Sequence, residues 1–89
     1  MFRLWAKIIV SGKIVKNMTI KNSDLSLNRT KKIFNAINEI CYAYDLSQPL
    51  WLDKNIREFK KNSRTRFTKD NFVDDIDFDA LDIEVIEED

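Results

Sequence analysis

Proton transfer near neutral pH runs most often through histidine, and this chain of 89 residues has none. Its absence removes the Ser-His and Cys-His nucleophile pairs together with the commonest transition-metal ligand. A single glycine, Gly12, cannot supply a Walker loop or a dinucleotide fingerprint, which need several for backbone approach to phosphate. The run Asp75-Ile76-Asp77-Phe78-Asp79 opens like a calcium loop and then fails. Its sixth position is Ala80 where a sharp turn needs glycine, and its twelfth is Ile86 where a bidentate glutamate is required. Alternating acid with apolar residues points those carboxylates out along a strand instead. Cys41 falls on the apolar side of a helix pattern and reads as a small buried hydrophobe, not a reactive thiol. No catalytic residue, metal ligand or cofactor is expected, and the chain reads as a non-enzyme.

Charge offers the better lead. The net charge is zero, but all fifteen Lys and Arg lie at or before Lys69, beside only five carboxylates. Residues 70–89 carry ten acids and no base. Lys54, Arg57, Lys60, Lys61, Arg64, Arg66 and Lys69 are interleaved with Phe59 and Phe67, and such a stretch can contact phosphates. Lys60, Lys61, Arg64 and Arg66 are the candidate contacts of a nucleic-acid or polyanion binder. The plainer reading is a solvated helix face that partly neutralises the acidic tail, with both phenylalanines buried.

The elements that would position these groups follow from periodicity. Asn28 to Leu46 places Ile33, Ile37, Ile40, Cys41 and Tyr44 on one helical face, widened by Phe34 and Ala36. Before it, Phe2–Val10 alternates as a strand that is apolar on both sides, and Ile14–Ile20 alternates as a second. A three-residue loop, Val10-Ser11-Gly12, would pair Ile8 with Ile14, Leu4 with Met18 and Phe2 with Ile20, with Gly12 in the left-handed position. After Pro49, Asp53 is a candidate N-cap for a short helix over Lys54–Asn62 with Ile56 and Phe59 inward. Residues 63–72 alternate as an extended piece, with Thr68 able to cap one turn. The tail changes parity at Ala80-Leu81, which a bulge would reconcile, and Leu81–Ile86 is the third strand.

The expected fold is α+β in the order ββααβ: one domain over 1–89, a mainly antiparallel three-stranded sheet of order 2-1-3, and two helices on one face. That arrangement sets Arg3 and Lys7 beside Asp82 and Glu84 across the first and third strands. It also leaves Trp5, with Ile9 and Val15, on the uncovered sheet face as a candidate interaction patch. The expected role is protein contact, with an unidentified partner or by self-association through that face or an edge strand. Nucleic acid is the alternative partner, and no membrane is expected. Lys7 interrupts the apolar N-terminus and no cleavage site follows, so a signal peptide is not expected. No stretch approaches the length of a membrane span, and one cysteine fits a reducing compartment, so the expected location is the cytoplasm. The segments FRLWAKII, SGKIVK, EICYAYDL, PLWLDKNIREFKK and RTRFTKDNF together resemble a small group of uncharacterised bacterial proteins of about this length. That resemblance implies a compact single domain and assigns no activity or site residue.

Overall fold

Hydrophobic alternation at Phe2, Leu4, Ala6 and Ile8 sets one face of the first strand into the core, and the rest of the chain assembles on it. The computed structural model describes residues 1–88. Strands β1 (Phe2–Val10) and β2 (Lys13–Asn22) form a hairpin, followed by helices α1 (Arg29–Ala43) and α2 (Asp53–Asn62). A short strand β3 (Arg64–Phe67), a 3-10 turn (Lys69–Asn71) and β4 (Ala80–Glu87) complete the chain. The sheet has four antiparallel strands in the order β2-β1-β4-β3, not three. The α+β class and the placing of β1 between the second strand and the acidic tail strand stand as expected. The added strand is Arg64–Phe67, whose four residues carry too short an alternation to distinguish a strand from an extended loop. Asp89, counted with the acidic tail, lies outside the described residues.

The hairpin corrects the expected register. Ser11 (φ 52°) and Gly12 (φ 77°) are both left-handed, the signature of a two-residue type I′ turn, and Val10 pairs with Lys13. A register shift then changes the pairing between Ile8 and Ile9, so that Ile9 faces Ile14 while Ile8 faces Lys16. Beyond it Ala6 faces Met18 and Leu4 faces Ile20. The extra residue restores the apolar parity that a three-residue loop would have provided. The Asp79 carboxylate accepts from the Ser11 N–H at 2.7 Å, which ties the turn to the start of β4.

Helix α1 starts at Asn28, whose Oδ1 accepts from the Lys31 N–H, and ends earlier than Leu46 at a left-handed Asp45. It buries Ile33, Ala36, Ile37, Ile40 and Cys41 against the sheet, with Lys32 also buried. Tyr44 is half-buried against this core, while Phe34 is exposed and meets Trp51 edge-on. In α2 the N-cap is Leu52, not Asp53, and the inward residues are Asn55 and Phe59, with Ile56 exposed. The parity change at Ala80-Leu81 needs no bulge, because residues 73–79 precede the strand as a loop that packs Phe78 on Phe72. Trp51, half-buried, meets the rings of Phe34, Phe59 and Phe67 in T-shaped contacts at 6.1, 5.5 and 5.1 Å. These contacts fasten both helices to β3.

A buried polar network locks the segment from Leu50 to Asn71 against the sheet. Asn55 and Asn71 have no solvent exposure, and Asn71 Nδ2 donates to Asn55 Oδ1 at 2.8 Å. Asn55 Nδ2 donates to Thr65 Oγ1 and to the Arg66 carbonyl, while its Oδ1 also accepts from the Leu52 N–H. Asn71 Nδ2 reaches the Leu50 carbonyl and its Oδ1 accepts from the Thr68 N–H. The Thr65 hydroxyl in turn donates to Glu58 Oε1 at 2.7 Å. Every side-chain amide group is therefore engaged, which is what makes burial of two asparagines tolerable.

Candidate functional site

The sheet face away from the helices is a lattice of charge, not an apolar patch. Cross-strand register sets Asn17, Lys7, Asp82 and Arg66 in one row and Thr19, Trp5, Glu84 and Arg64 in the next. Arg66 grips Asp82 with both Nε and Nη2, at 2.7 and 2.9 Å, and this pairing raises the guanidinium pKa further. Lys7 Nζ stands 3.8 Å from Glu84 and 4.2 Å from the centre of the Trp5 ring. Arg3 pairs instead with Glu87 at 2.6 Å, because the register slips by one residue between Arg3 and Leu4. Trp5 donates its indole N–H to Asn17 and is braced by Lys7, so it lies within this lattice.

The three residues of the expected interaction patch are not gathered. Trp5 is half-buried on the charged face, and Ile9 is buried. Val15, at the register shift, is 54% exposed and lines a hollow with Ile8, Tyr44 and Leu46, on the helix-covered side. The four basic candidates divide as well. Lys60 and Lys61 are exposed on α2, and Arg64 is exposed at the start of β3, facing Glu84. Arg66 is committed to Asp82. Phe59 and Phe67 are both buried, so neither is available to stack on a base. The outer face of α2 nevertheless keeps Lys54, Arg57, Lys60 and Lys61, and none of the four enters an ion pair among the described residues.

A third surface emerges only from the assembled fold. Strand β2 is a sheet edge of ten residues, with half of its backbone N–H and C=O groups directed away from β1. Beside it, Met18 and Ile20 form the floor of a shallow apolar hollow whose wall is Asn38, Glu39 and Tyr42 of α1. The Tyr42 side chain is 90% exposed although the helix runs directly past the strand. Toward the turn the strand continues with Ile14 and Val15, each about half exposed, and Lys16 Nζ lies 6.0 Å from the Tyr44 ring. The sequence signal for this hollow was the pair Met18 and Ile20, which read as ordinary core alternation.

Cys41 is buried, and burial pushes its thiol pKa upward, away from the thiolate needed for nucleophilic work. Among the described residues no group of three His, Cys, Asp or Glu converges as a metal site would require, and no helix is long and apolar enough to cross a membrane. Comparison with protein-family models, with curated proteins and with solved structures finds no match to this chain.

Proposed function

We propose that this domain is a non-enzymatic protein-interaction module of the cytoplasm that accepts an extended segment of a partner along β2. The observation that carries the reading is the conjunction of an open ten-residue strand edge with the hollow formed by Met18, Ile20 and Tyr42. An incoming strand gains main-chain hydrogen bonds from such an edge, and an adjacent groove receives alternate side chains. The lone buried cysteine and the lack of histidine support a non-catalytic role in a reducing compartment. The resemblance to small uncharacterised bacterial proteins fits this reading and adds no partner.

The test uses partner recovery and sedimentation together, with Met18→Glu as the probe of the hollow. Met18 is only half-buried, so the variant is expected to keep its cooperative melt. Wild-type protein should retain a partner from cell extract, or self-associate with concentration, and the variant should lose it. A strict monomer that retains nothing, or a variant that retains everything, would overturn the reading.

Four cations on the outer face of α2, none of them ion-paired among the described residues, favour a second reading, a polyanion surface that works by charge alone. Short single- and double-stranded oligonucleotides should then bind at low salt and lose about tenfold or more in affinity as salt rises fourfold, as several released counterions require. Lys60→Ala with Lys61→Ala should flatten that dependence. Absence of binding at low ionic strength removes this option.

A further inference from the structure

We infer that the segment docked on β2 is acidic, alternating Asp or Glu with apolar residues; this rests on the strand-docking reading above. Strand β2, KIVKNMTIKN, contains Lys13, Lys16 and Lys21, all exposed, and no carboxylate. Residues directly opposite on paired strands interact, attractively for unlike charges and repulsively for like ones. A partner strand therefore meets ammonium groups at several positions along this edge. By register Lys16 lies on the helix-covered side and Lys21 on the charged side, opposite Ile8 and Arg3 of β1. Acids on either face of the incoming strand thus find a lysine.

The apolar half of the pattern has its own receptor. Met18 and Ile20 lie on the helix-covered side, opposite Ala6 and Leu4, so apolar residues of an alternating partner reach the hollow while its acids emerge on the charged side, where Lys21 stands. Glu39 in the wall of this hollow and Asp77 in the neighbouring one are the opposing carboxylates. Both lie off the strand, where cross-strand pairing does not place the partner's alternate residues. A second copy of this chain is the poorer occupant. Pairing β2 with β2 doubles the lysines along the shared edge and supplies no acid to face them. The same lysines that discourage self-pairing therefore select the partner's charge.

The chain shows how well the chemistry works internally. Strand β4, ALDIEVIE, is acidic and alternating, and it docks on β1 by placing Asp82 beside Lys7 and Glu87 on Arg3. β2 adds Lys21 to that same charged face, next to its unpaired outer edge.

Amide NMR titration with three synthetic ten-residue peptides tests this. Each alternates Val or Ile with one polar type: Glu in the first, Thr in the second, Lys in the third. The Glu peptide should shift the amides of residues 13–22 and bind about threefold more tightly than the Thr peptide, as an unlike cross-strand pair with Lys21 allows. The Lys peptide should leave those amides unmoved. In the protein bearing Lys13→Glu, Lys16→Glu and Lys21→Glu the order should reverse, with the native spectrum elsewhere confirming the fold. Equal binding of Glu and Thr peptides at β2 overturns the charge selection while leaving strand docking intact. Shifts confined to α2 overturn both, and β2 amides that respond only to protein concentration overturn the acidic partner in favour of self-pairing.

Discussion

Ending the chain at Asp79 should abolish the cooperative fold. Strand β4 lies inside the sheet, with β1 on one side and β3 on the other. Removing it deletes two hydrogen-bonded ladders at once and leaves β3 with no neighbour in the sheet. It also removes Leu81 and Ile83, whose side chains are almost completely buried, from the centre of the core. Losing one large buried aliphatic costs about 2–5 kcal/mol, and a domain's whole stability is about 5–15 kcal/mol. Two such losses plus an opened core exceed what a chain this small can spare. Charge acts in the same direction, because Asp82, Glu84 and Glu87 stand among Arg3, Lys7 and Arg66. Far-ultraviolet circular dichroism with thermal melting, beside the amide NMR spectrum, gives the answer. A sigmoidal melt retained in the truncated chain would show β4 to be dispensable and the sheet order to be wrong.

Asn55→Ala should be the most damaging single substitution of a polar residue, at about 3 kcal/mol or more, because several buried groups would each lose a partner worth about 1–3 kcal/mol. The amide serves the Leu52 N–H, the Arg66 carbonyl, Thr65 Oγ1 and Asn71 Nδ2 simultaneously. Asn71→Ala should be comparable, for it strips the Leu50 carbonyl and the Thr68 N–H as well as Asn55. The double variant should cost less than the sum of the two, since both singles break the same Asn55–Asn71 bond. Urea unfolding of the three proteins measures this directly. A loss under about 1 kcal/mol for Asn55→Ala, below the usual cost of one orphaned buried group, would show that solvent reaches the network and replaces the side chain.

Such a network illustrates why part of the fold escapes a reading of the chain. Asn55 and Asn71 are polar residues in polar stretches, and by type they belong on the surface. They are buried because the connection from Leu50 and the turn after Thr68 meet beside β3, and only the folded chain brings those backbone groups within reach of one amide. Ile56 took the opposite course. It has the right type for the core, yet Asn55 occupies the inward position one residue earlier and turns Ile56 outward. The hairpin shows a milder failure. Apolar parity correctly matched the even-numbered residues of β1 with Met18 and Ile20, but a type I′ turn with a register shift satisfies the same parity as a longer loop.

The candidate surfaces divide in the same way. Residue types and their spacing established that the chain lacks histidine and glycine-rich chemistry, that its charge is segregated, and that α1 must bury one broad face. Those are properties of residue type and period, which are local. Tertiary structure decided which charges remain unspent. It paired Arg66 with Asp82, scattered Trp5, Ile9 and Val15 among three environments, and left β2 as an open edge with a hollow at its side. A side chain's availability depends on what lies across the sheet from it. That neighbour is set by strand order and register, which couple residues too far apart in the chain for any local pattern to carry.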